Sequence, residues 1–132
     1  MPRQSPRVAF TMDGGAIKLT RDGKSFGIFD GDQAVAGNAA AETEARTYRH
    51  RTTAGLILDF AGLGLLVGGS VVAQSGSSST RNDVGAGLAL GGLAAIAVAL
   101  PLIFTGLPHL YDAVNIYNDG LASGASRPPG SP

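Results

Sequence analysis

The sequence predicts a mainly α membrane protein: a two-helix transmembrane hairpin with a small N-terminal three-stranded β-meander and a C-terminal amphipathic helix. Three observations carry this reading. Residues 53–73 form a 21-residue stretch with a single charge, Asp59, and residues 84–107 a 24-residue stretch with none. At ~1.5 Å per residue each is long enough for a hydrocarbon core of about 30 Å. Between them, residues 74–83 are a polar turn without an apolar side chain. Upstream, the apolar residues alternate with period two.

That alternation builds the first element. Val8, Phe10 and Met12 alternate with Ala9 and Thr11, Ile17 and Leu19 flank Lys18, and Phe26 and Ile28 flank Gly27. Asp13-Gly14-Gly15 and Asp22-Gly23 stand between these runs, where tight hairpin turns need residues that accept positive φ. A polar leader and this meander occupy residues 1–33. Three short strands bury little surface alone, so the apolar face is expected to rest on the following helix, on a neighbouring subunit or on the membrane surface.

After a connector, Asn38 is placed to cap a helix whose first turns carry Glu42 and Glu44, where acidic side chains suit the helix dipole. This juxtamembrane helix, residues 34–52 with its connector, is expected to run unbroken into the first span at 53–73. Past the second span, Pro108 is expected to open a separate helix over 108–121 as its first residue. Leu110, Ala113, Val114, Tyr117 and Leu121 there form one apolar stripe. Residues 122–132, rich in Gly, Ser and Pro, are expected to be a disordered tail.

Composition narrows the function classes. In 132 residues, ten basic side chains balance ten acidic ones, which gives no electrostatic case for nucleic acid. Cysteine is absent, which removes disulfides, Cys-based zinc sites and a lipidated N-terminal Cys. No apolar stretch of signal-peptide type follows the first residues. His50 and His109 stand apart as interfacial polar residues, Ser77 to Ser79 lack a paired base, and no cofactor or catalytic site is expected.

Small-residue spacing is the strongest functional signal, with glycine at 20 residues. Gly87, Gly91, Ala95 and Ala99 recur every four residues in the second span. In the first, Gly64 and Gly68 are four apart, and Gly55, Gly62 and Gly69 recur every seven. In lipid, helices associate by close backbone approach, which missing side chains permit. These stripes either pack the hairpin's own helices or divide between the hairpin and neighbouring subunits.

Asp59 is a carboxylate in a span, an arrangement that costs ~2.5–3.5 kcal/mol on insertion scales and calls for a partner. Pro101 is expected to kink the second helix by failing to donate to the Ala97 carbonyl. Asp59 could bond that carbonyl or Thr105, or reach water at the cytoplasmic edge. Arg46, Arg49 and Arg51 crowd the entrance of the first span and only Arg81 lies in the turn. Positive-inside bias then places both termini in the cytoplasm.

Ala113-Val114-Asn115-Ile116-Tyr117-Asn118, with Ala36-Gly37-Asn38 before an alanine-rich helix, resembles a pattern in small bacterial two-span membrane proteins of uncharacterised function. The resemblance covers residues 36–121 and implies a bacterial inner-membrane setting. The proteolipid ring subunit of rotary ATPases is a glycine-rich hairpin too, but it carries its carboxylate mid-span in the second helix, whereas Asp59 is in the first. The resulting expectation is a structural or interaction protein whose partners are the lipid bilayer and either copies of itself or another membrane protein. A pore-forming or holin-like protein and an ion- or proton-coupled component using Asp59 are the rivals.

Overall fold

A computed structural model describes residues 6–125. Three antiparallel strands, β1 (Ala9–Asp13), β2 (Ala16–Arg21) and β3 (Lys24–Gly27), form a sheet in the order β1-β2-β3. A 3-10 turn, Ile28–Asp30, and a short helix α1 (Gly31–Ala34) lead to two long helices, α2 (Ala39–Ser75) and α3 (Ser79–Ala125). The chain divides into two compact units, Met1–His50 with Gly106–Pro132, and Arg51–Thr105.

The meander forms as the alternation requires. Phe10 pairs with Leu19, Met12 with Ile17, and Leu19 with Phe26, so the apolar residues share one face. Gly14 and Gly15 have φ of 58° and 81°, and Asp22 and Gly23 of 52° and 76°. Two successive left-handed residues in each loop match the right-handed twist of the strands they join.

Its inner face rests on the helices of the same unit. Val8 and Leu19 are buried with Ala34, Val35, Ala41, Ala45, Tyr48, Leu110, Ala113, Val114 and Tyr117. Four of the five residues of the expected α3 stripe are thus in this core, and Leu121 packs at its margin. Gly31 lets α1 close on Leu110: a Cβ there would lie 2.9 Å from Leu110 Cδ1.

Asn38 caps α2 as expected. The Ala41 amide donates to Asn38 Oδ1 at 3.2 Å, and the Gly37 amide donates to Glu42 Oε1 at 3.0 Å. α2 then runs through into the apolar stretch without a break. The interhelical turn is shorter than 74–83, because α2 extends to Ser75 and α3 begins at Ser79, where the Arg81 amide donates to Ser78 Oγ at 3.4 Å.

The separate helix over 108–121 is not formed. α3 continues through both Pro101 and Pro108 to Ala125. A proline inside a helix costs about 3 kcal/mol, but burial of a Leu- or Val-sized side chain returns ~1.5–3 kcal/mol each. Leu110, Val114 and Tyr117, on the part of α3 that follows Pro108, are all buried. Residues 122–125, expected in the tail, are instead part of α3, and residues 126–132 and 1–5 of the expected tail and leader lie outside the described residues.

Both long helices are long and apolar enough to cross a membrane, and only 11% of each apolar window is buried in the protein. The core helix of a soluble protein would be mostly covered.

Candidate functional site

Within the unit Arg51–Thr105, α2 and α3 meet along glycines. A Cβ added at Gly69 would lie 2.5 Å from the Ala89 nitrogen, at Gly62 2.7 Å from the Gly92 carbonyl, and at Gly55 3.0 Å from the Ala99 carbonyl. From the other helix, a Cβ at Gly92 would lie 2.6 Å from the Leu66 nitrogen, and one at Gly85 2.6 Å from the Gly69 carbonyl. Backbone therefore lies on backbone. The contacts pair Gly69 with Gly85, Gly62 with Gly92 and Gly55 with Ala99, a constant antiparallel register stepped by seven on both helices.

The four-step stripe divides. Gly64, Gly68, Gly87 and Gly91 have nothing within 4 Å of an added Cβ, whereas Ala95 is half-buried and Ala99 is fully buried. Helix geometry explains this. Seven residues fall short of two full turns by only ~20°, so a seven-step stripe stays on one face across a span. Four residues overshoot a turn by about 40°, so Gly87 and Ala99 end on different sides of α3. Gly85 and Gly92 were missed in the sequence, although their spacing repeats that of Gly55, Gly62 and Gly69.

Asp59 stands one seven-residue step before Leu66, the residue that Gly92 approaches. It is half-buried and, among the described residues, makes no hydrogen bond or ion pair. Of the alternatives for Asp59, a bond to Thr105 is not formed: Thr105 Oγ1 donates to the Pro101 carbonyl at 2.6 Å and accepts from Arg51 at 3.4 Å. No bond from Asp59 to the Ala97 carbonyl is present either. The helix turn around Pro101 satisfies its own threonine first, because a hydroxyl four residues on is always within reach.

The other two arginines are paired in the unit of Met1–His50 with Gly106–Pro132, Arg46 with Glu42 at 3.1 Å and Arg49 with Asp32 at 3.4 Å.

The same unit contains a polar latch that sequence reasoning overlooked. Asn118 on α3 accepts from the Val8 amide and donates to the Val8 carbonyl, both at 2.9 Å. Its side-chain amide thus pairs with the backbone just before β1 as a neighbouring strand would. Asn38 Nδ2 donates to the Ile116 carbonyl at 3.4 Å while its Oδ1 caps α2. Arg21 donates to the Ala34 and Ala36 carbonyls at 2.9 and 3.0 Å and lies 5.0 Å over the Tyr117 ring. Both segments of the resemblance, Ala36 to Asn38 and Ala113 to Asn118, therefore meet here. An open cleft of about 520 Å³ beside the latch is lined by Val8, Thr20, Arg21 and Asn118 among others, but the Arg21 guanidinium is already committed.

His109 Nδ1 lies 2.5 Å from Glu44 Oε2 and His50 is exposed. Among the described residues no three of His, Asp and Glu gather as a metal site. Asp13, at the tip of the first hairpin, is held below the usual carboxylate range by the hydrogen bond and charge of Lys18. Comparison with protein-family models, curated proteins and solved structures finds no match.

Proposed function

We propose that this chain is a small bacterial inner-membrane protein with a structural or interaction role, self-associating through the glycine faces that its own hairpin leaves unused. The observation that carries this is the division of the glycines. Gly55, Gly62 and Gly69 close the seam with Gly85 and Gly92, while Gly64, Gly68, Gly87 and Gly91 stand in open space. Glycine in a helix costs ~0.8–1.0 kcal/mol relative to alanine, so four glycines without a local contact call for a reason elsewhere. Each outer pair is spaced i, i+4, the spacing that lets two helices approach closely in lipid.

The outer pairs occupy equivalent positions on α2 and α3, two and six residues past a seam glycine. An α2 face meeting the α3 face of a neighbour would be a heterologous contact, which closes into a ring or extends as an array. The test is association in a membrane two-hybrid or detergent crosslinking assay. Gly91→Leu is expected to weaken association markedly and Leu90→Ala to change little; equal effects would remove the glycine interface.

Both termini are placed in the cytoplasm and the short turn outside, on the strength of Arg46, Arg49 and Arg51. A cysteine at Ser78 is expected to react with an impermeant reagent in intact cells, and one at Ser126 to be protected. The reverse pattern would invert the topology.

Ion or proton coupling through Asp59 is the second reading, favoured by a half-buried carboxylate without a partner among the described residues. As no bond is lost, Asp59→Leu is expected to be at least as thermally stable as wild type in matched detergent. A clear loss of stability in Asp59→Leu, rescued by Asp59→Asn, would instead reveal a structural polar bond.

A further inference from the structure

The apolar face of the meander is longer than the helices that cover it. Leu19 is fully buried and Phe10 half-buried, but the cross-strand pair nearest the turn, Met12 and Ile17, is 71% and 51% exposed. Beside this pair the Phe10 ring packs on Tyr111 of α3, centroids 4.9 Å apart, and Tyr111 is itself 48% exposed. Phe10, Thr11, Met12, Ile17 and Tyr111 line a shallow apolar hollow of about 180 Å³.

We propose that this hairpin tip, together with Tyr111, is a lipid-docking surface that sits at the headgroup–acyl boundary of the bilayer. The inference rests on the membrane reading above. Its warrant is depth along α3. Tyr111 lies four residues after Leu107, the last residue of the expected span, on an unbroken helix. Four residues advance the helix by ~6 Å, and the polar interface extends roughly 5–8 Å beyond the hydrocarbon on each side. Tyr111 therefore falls at the level where amphipathic aromatic rings collect, and the ring contact holds Phe10 and the hairpin tip beside it.

The tip's charges define the kind of docking. Asp13 and Lys18 border the apolar pair and bridge each other at 2.6 Å, so they cancel. Contact is then made by burying apolar side chains, and its strength should not depend on anionic lipid or on salt.

The sequence contains no tryptophan, so single substitutions give clean depth probes in the full-length protein reconstituted in phosphatidylcholine vesicles. Ile17→Trp is expected to emit at short wavelength, to resist acrylamide and to be quenched by lipid brominated near the top of the acyl chains. Ser25→Trp, exposed on the opposite face of the sheet, is expected to emit at long wavelength and to be quenched by acrylamide several-fold more strongly. Leu93→Trp reports on the span and is expected to be quenched by bromine placed deep in the chains.

If Leu93→Trp is not quenched by brominated lipid, the membrane reading fails and docking falls with it. Quenching of Leu93→Trp with acrylamide-accessible Ile17→Trp overturns docking alone. An Ile17→Trp probe shielded from acrylamide yet untouched by brominated lipid overturns it in favour of a protein contact, such as a second copy.

Discussion

Gly92→Ala is expected to destabilise the helix hairpin, and Gly64→Ala to stabilise it, although both replace a glycine in a long apolar helix. At Gly92 the new methyl would meet the Leu66 nitrogen at 2.6 Å and crowd the Gly62 carbonyl still more closely. These are backbone atoms, which cannot rotate away as the end of a side chain can. The helices must separate, and overpacking of this kind costs ~1–3 kcal/mol or more. At Gly64 the methyl meets nothing within 4 Å, leaving the gain in helix propensity of ~0.8–1.0 kcal/mol. The opposite signs make the comparison robust against general effects of detergent. Thermal unfolding of the two variants and wild type in one detergent is the measurement, and Gly62→Ala should follow Gly92→Ala. A Gly92→Ala protein as stable as Gly64→Ala would mean that the helices do not meet at this seam.

Removing the latch is expected to have an effect at least as large. Asn118→Ala leaves both the Val8 amide and its carbonyl without a partner, and Val8 is only 3% exposed. An unsatisfied buried backbone group costs ~1–3 kcal/mol, so the two together should cost about 2–6 kcal/mol. Asn118→Asp discriminates the mechanism. The carboxylate still accepts from the Val8 amide but places negative charge against the Val8 carbonyl, so it should recover only part of the loss. Hydrogen exchange locates the effect: amides of β1 and β2 should lose protection in Asn118→Ala while those of residues 55–69 keep theirs. Unchanged exchange in β1 would show that the latch does not hold the strand.

The proposed pairing of the outer glycines between copies would give the two glycine sets separable roles. Seam substitutions should lower the stability of the monomer, whereas bulky outer substitutions such as Gly91→Leu should lower association with the monomer intact. Leucine at Gly91 meets open space within the chain, so a loss of association there has no explanation in a damaged hairpin.

The sequence by itself determined what short-range physics controls. Period-two alternation and Asp-Gly turns produced the meander, because strand pairing and left-handed turn residues act within a few positions. Asn38 announced the start of α2, as the capping bond reaches only three residues. Length and hydropathy marked the two long apolar helices. The tertiary structure decided which small residues form the seam, because four- and seven-step stripes look alike over one or two turns and diverge only as phase accumulates along a span. It also carried α3 past Pro108, since burial of Leu110, Val114 and Tyr117 against the sheet outweighs a local break signal. The partner of Asn118 lies 110 residues away at Val8, and no local pattern encodes a contact across that distance. Asp59 shows the same limit from the other side. Its chemistry calls for a partner, but Thr105 finds one four residues back on its own helix, and proximity along the chain wins.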